Sequence, residues 1–223
     1  MPRIEQVPAI KGSQKWIQKL ANEKSDLLNS LIRAQLNLPD TDTITWLSPI
    51  AEDDYAEYQD QAFLDLLAIK LTKVSLSDFW PSRGPVWDGL GKSKTGKVFL
   101  VEAKSHISEV LSPGTGAGVK SLRKIKKSLD KTKSFLHSTT KHDWTSTFYQ
   151  YTNRLAHLYL LQALNEIPAY LVFVYFLNDK DMNGPQSIDE WNGALSLLRS
   201  YLGIGRHELS KYIADIFIDI GEI

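Results

Sequence analysis

The chain contains no cysteine, which removes disulfides, thiolate zinc sites and cysteine nucleophiles together. Any metal must then be held by oxygen or imidazole ligands. No apolar run reaches the roughly 20 residues of a membrane helix, and the opening stretch MPRIEQVPAI lacks the basic-then-apolar pattern of a signal peptide. A soluble, cytoplasmic protein with no membrane partner is expected. Net charge is absent as well. The 26 basic residues balance 26 acidic ones, so the molecule as a whole is no generic binder of polyanions.

What is present is unevenly placed. Residues 116 to 133, GAGVKSLRKIKKSLDKTK, hold Lys120, Arg123, Lys124, Lys126, Lys127, Lys131 and Lys133 against the single acid Asp130. Glu52, Asp53, Asp54, Glu57, Asp60 and Asp65 crowd an earlier stretch. A basic face and an acidic cluster on one chain fit a phosphate-rich partner meeting a cation-binding centre. Two solvated helix faces would give the same charge pattern.

With 223 residues, rich in Trp, Tyr and Phe, the chain can fill one sizeable core. Ser13 is placed to cap a long helix running to about Leu36, an accessory to the rest, followed by the extended piece ITWLSPI. From Asp53 to about Leu71, Tyr55, Tyr58, Ala62, Leu66 and Ile69 recur at helical spacing, with Glu57 and Gln61 on a neighbouring stripe. KVSLSDFW reads as a strand or an irregular edge. VWDGLG and KVFLVEAK read as strands joined by the turn KSKTG. Residues 119 to 136 and 143 to 164 have helical period, and Asp143 is a candidate cap for the second. AYLVFVYFL, residues 169 to 177, is apolar throughout, as a strand covered on both faces would be. Ser187 and Glu190 form a capping box opening a helix to about Leu202, and YIADIFIDI closes the chain as a strand. A single domain is expected, with a core over about 53–178, an N-terminal accessory over 1–50 and a C-terminal helix and strand over 187–223.

Two motifs are decoys. Gly91 to Lys97, GKSKTGK, satisfies G-x-x-x-x-G-K, but Val98 follows where a phosphate loop needs Ser or Thr, and VFLVEAK is no helix opening. Ser105 beside His106 invites a hydrolase reading, yet adjacent strand residues point to opposite faces and no G-x-S-x-G elbow exists.

The stretch WDGLGKSKTGKVFLVEAKSH, residues 87 to 106, carries more. Strand alternation puts Glu102 and Lys104 on one face with Leu100, while Phe99, Val101 and Ala103 line the other. Pairing with the preceding strand brings Asp88 to the same end. Two carboxylates in a partly dry site repel strongly unless a cation or a proton intervenes, and a hard divalent ion such as magnesium resolves the repulsion. Lys104 beside it could orient or deprotonate water, or offset charge on a phosphate. The plain alternative is an exposed strand end with a Glu–Lys pair, worth at most about 1 kcal/mol.

Asp88 in WD and Glu102 to Lys104 in VEAK resemble the PD-(D/E)xK nuclease superfamily, which includes restriction endonucleases. Trp87 stands where the name-giving proline would be. The resemblance implies a restriction-endonuclease-like α/β fold, a mixed central sheet flanked by helices. It implies that Asp88, Glu102 and the Ala103 carbonyl bind Mg2+, that Mn2+ substitutes, and that Lys104 assists the attacking water in phosphodiester hydrolysis. Glu57, as a further carboxylate from an early helix, and Gln150, on the later one, are auxiliary candidates. Lys120, Arg123, Lys124, Lys127 and Arg154 are candidate nucleic-acid contacts, DNA is the expected partner, and a homodimer is expected of a type that cuts two strands. A nucleic-acid-binding module without catalysis is the alternative.

Overall fold

The computed structural model describes residues 3–223. Two short strands, β1 (Arg3–Ile4) and β3 (Glu57–Tyr58), pair with one another apart from a five-stranded mixed sheet. That sheet is built from β2 (Ile44–Ser48), β4 (Gly89–Ser93), β5 (Val98–Lys104), β6 (Ala169–Leu177) and β7 (Ile213–Asp219), side by side in that order. β2, β4 and β5 run antiparallel, whereas β5, β6 and β7 are parallel. Around them lie α1 (Gly12–Glu23), α2 (Ser25–Leu36), α3 (Asp60–Leu66), α4 (Leu76–Phe79), α5 (Val119–Phe135), α6 (Tyr149–Tyr159) and α7 (Ile188–Leu202). Among the described residues no helix is long and apolar enough to cross a membrane.

Alternation along the strands divides the interior into two cores. Phe99, Val101 and Ala103 of β5 join Val172, Val174 and Phe176 of β6 and Ala214, Ile216 and Ile218 of β7 against Trp16, Ile17, Leu20, Leu28 and Ile32. The N-terminal helices are thus the cover of one whole sheet face, not an accessory. The helix expected from Ser13 to Leu36 is broken at Lys24, whose backbone (φ −131°, ψ 33°) leaves the helical region. The break lets α1 lie on β5 and α2 on β7. The opposite face, with Leu100, Leu171, Phe173 and Tyr175, packs under α5, α6 and α7 through residues such as Leu129, Leu155, Leu158, Trp191 and Leu198.

The helix expected over Asp53 to Leu71 does not form as one element. Asp54 and Tyr55 have positive φ (52° and 48°), Glu57 and Tyr58 enter β3, and only Asp60–Leu66 is helical. The helical spacing of the tyrosines was overridden by pairing with β1, more than fifty residues away in sequence. KVSLSDFW contains α4, whose cap Ser75 accepts the Asp78 N–H at 3.1 Å. The helix expected from Asp143 begins only at Tyr149, because the Asp143 carboxylate takes the Thr145 N–H at 2.9 Å and closes a local turn instead. Ser187 does cap α7, accepting the Glu190 N–H at 3.3 Å.

Candidate active site

The C-terminal end of β5 carries Glu102 and Lys104 on the face covered by α6, as the alternation predicts. What fixes Asp88 beside them is the entry into β4. Trp87 is fully buried, edge-on to Phe63 and His157, and its N–H bonds the Tyr58 carbonyl at 3.1 Å. At Gly89 a Cβ would lie 3.2 Å from the Val101 Cβ, so glycine permits β4 to close on β5 directly after Asp88. The Asp88 N–H reaches the Val101 carbonyl at 3.2 Å, and its Oδ2 accepts the Ala103 N–H at 2.8 Å. The aspartate side chain therefore continues the ladder where the β4 backbone stops, and sits at the edge of β5 rather than on one face of the sheet. A strand residue turns its N–H and C=O to the same edge, so the Ala103 carbonyl faces this side too.

The charges are tightly balanced. Glu102 is 2 % exposed. Its Oε1 accepts from Lys104 Nζ at 2.5 Å, and its Oε2 accepts from Arg154 Nε at 2.6 Å. Burial alone would raise the Glu102 carboxyl, but Arg154 and Lys104 outweigh it and hold its pKa below the usual value. Burial opposes charge on Lys104 as well, yet Glu102 and Asp88 keep its pKa raised. Asp88 has no such cation in contact. Burial, then the neighbouring Glu102 charge, push its pKa up to about 8. Among the described residues nothing donates a hydrogen bond to its Oδ1.

Glu57 sits on β3, not on a helix, and still belongs to the site: its charge acts on Asp88, and that of Glu102 acts on it. Burial raises its pKa against hydrogen bonds from Gln14 (3.1 Å) and Gln6 (3.1 Å). Gln150 is brought in from α6, its Oε1 accepting from Lys104 Nζ at 3.1 Å. Arg154, expected among groups facing nucleic acid, is instead buried, its side chain 4 % exposed and committed to Glu102. Asp88, Lys104 and Gln150 line the wall of a groove of about 960 Å³ that also takes in Arg83, Glu109 and the start of α5 at Ser121. Of the basic helix, Lys120, Arg123 and Lys127 are exposed, whereas Lys124 is half-buried with Nζ on the Ser77 carbonyl at 2.7 Å.

Three participants escaped the sequence reading. Gln6 and Gln14 hold Glu57, and Glu109 takes the Ser105 N–H at 2.5 Å beside the groove. No spacing rule marks any of them. His106 is half-buried and turned to Glu109.

The donor set fits a hard divalent cation. Asp88 offers an oxygen without a partner, Glu102 an oxygen shared only with Lys104, and the Ala103 carbonyl lies on the same edge. Among the described residues no three His, Cys, Asp or Glu side chains gather into a group that could hold a metal ion, so a cation here would rest on at most two carboxylates, the Ala103 carbonyl and water. No protein-family model, curated protein or solved structure matches the chain.

Proposed function

We propose that the protein is a divalent-metal-dependent nuclease, hydrolysing phosphodiester bonds, in DNA above all, on a restriction-endonuclease-like fold. One observation carries the reading. Asp88 from the entry of β4 and Lys104 from the end of β5 line an open groove, with the buried Glu102 bonded to Lys104 and Asp88 left short of a cation. Structural ion pairs need no such deficit, since a surface pair is complete with two partners.

Mg2+ held by Asp88, Glu102 and the Ala103 carbonyl, with Mn2+ as a substitute, would supply Lewis acidity and an activated water. The rest falls to the chain. Lys104 resides next to the metal ligands as a cation, placed to offset charge developing on a phosphate oxygen. Gln150 fixes the direction of its amine by accepting one of its hydrogens. Glu57, on β3, adds negative potential at Asp88, drawing a cation inward. Lys120, Arg123 and Lys127 would contact phosphates, which sets position without reading sequence.

The full engagement of Glu102 by Lys104 and Arg154 favours a second reading, a nucleic-acid-binding module that uses the groove without catalysis. Incubation with plasmid and single-stranded DNA, with and without Mg2+ or Mn2+, separates the two when wild type is compared with Asp88→Ala and Lys104→Ala. Metal-dependent cleavage lost in both variants is the expected result. Retention of DNA without cleavage by the wild type would favour the binding module, and cleavage surviving both substitutions would refute the site.

A further inference from the structure

Arg154 is bound more completely than any other cation near the groove. Nε and Nη2 both reach Glu102 Oε2, at 2.6 and 2.5 Å. Nη2 also donates to the Val86 carbonyl at 2.6 Å, and Nη1 to Asn153 Oδ1 at 3.0 Å. The guanidinium carbon lies 4.8 Å from the centroid of the Trp87 ring. One planar group thus ties β5, the segment running into Asp88, and α6. A surface phosphate contact would leave these donors free.

We infer that Arg154 is a positioning residue for the paired carboxylates, setting both the rotamer of Glu102 and the distance from Glu102 to Asp88; this rests on the proposed metal site. Because Oε2 is held by the guanidinium, Oε1, whose one partner is Lys104, is the oxygen left to act as a ligand, and Glu102 is presented through one oxygen. Because the same group holds Val86 and Trp87, the residue that follows them, Asp88, is held in register with it. Lysine cannot substitute. It supplies one compact charge, whereas this arrangement needs a flat fork with donors in three directions and a face for the indole.

The test is calorimetric titration of Mn2+ into the metal-free protein for wild type, Arg154→Lys and Asn153→Ala, with melting of each in EDTA. Removing a partner that orients a metal ligand typically weakens metal affinity by about 10–100-fold. Arg154→Lys is expected to fall in that range, and Asn153→Ala, which frees Nη1 with the charge in place, to shift less in the same direction. DNA cleavage by Arg154→Lys should recover as Mn2+ is raised, which loss of folded protein would not allow. Unchanged or tighter Mn2+ binding by Arg154→Lys, with the wild type binding normally, would overturn the inference while leaving the metal site standing. Should Arg154→Lys not fold, wild-type affinity in Asn153→Ala overturns it equally. A wild type that takes up no Mn2+ would remove the nuclease reading and this inference together.

Discussion

Replacing Asp88 by Asn should stabilise the metal-free protein by an amount that grows as pH rises from about 4 to 8. The Asp88 carboxyl has its pKa raised from 3.8 to about 8 by burial and by Glu102. In the unfolded chain it ionises near its ordinary value. Between about pH 4 and 8 the folded state therefore holds a proton that the unfolded state has lost, and stability falls as pH rises through that window. At 1.36 kcal/mol for each tenfold change in proton affinity, the ceiling is about 6 kcal/mol. Asp88 keeps contact with the groove, and solvent screening reduces the working figure to about 2 kcal/mol. Asparagine retains an oxygen for the Ala103 N–H and removes the charge. The two proteins should have similar stability in EDTA at pH 5, with the variant ahead by about 2 kcal/mol at pH 9, or roughly 4–8 °C in melting temperature for a chain of this size. Urea unfolding at intervals across that range measures the gap directly. Stability curves that run parallel from pH 5 to 9, or a variant that loses stability on the alkaline side, would refute the argument that Asp88 lacks a cation.

Further outcomes follow from the same charges. Mn2+ in excess should raise the wild-type melting temperature in proportion to the logarithm of its concentration and leave Asp88→Asn unmoved, as ligand linkage requires; equal shifts in both would place the ion elsewhere. Lys104→Gln should abolish DNA cleavage while preserving Mn2+ binding, because it frees Glu102 Oε1 without removing a carboxylate; calorimetry beside the cleavage assay checks both halves. Glu57→Gln should weaken metal affinity less than Asp88→Asn, since Glu57 acts on the site through its charge and is itself held by Gln6 and Gln14. The double change Arg123→Gln and Lys127→Gln should lower the slope of DNA affinity against salt by about 2, read by fluorescence anisotropy in the presence of Ca2+; an unaltered slope would take the basic helix out of the interface.

The central strands were legible because their environment is uniform. β5 alternates between two cores and β6 is apolar on both faces, so side-chain period alone placed Glu102 and Lys104 on one face with Leu100, opposite Phe99, Val101 and Ala103; that α6 covers this face came only with the structure. The Ser187 cap was equally plain, being set by neighbours three residues apart. Asp88 was foreseen at the right end of the hairpin but not at the strand edge, where its carboxylate stands in for a backbone carbonyl. Glu57 was expected on a helix, since Tyr55 and Tyr58 mimic helical spacing. Its true conformation comes from β1, which Arg3 secures by donating to Asp53 Oδ1 at 2.8 Å. The role of Arg154 was illegible for the same reason. Its partners Glu102 and Val86 lie 52 and 68 positions away in sequence, and no local pattern tells a buried arginine from one on a helix surface.

The most direct measurement is the anomalous signal of a crystal soaked in Mn2+. A single manganese peak is expected at the edge of β5, within first-sphere distance of Asp88 and Glu102, about 2.1 Å for an ion of the magnesium type, with Lys104 withdrawn from Glu102 Oε1. An empty edge at saturating Mn2+, with Lys104 and Arg154 still closed on Glu102, would contradict it.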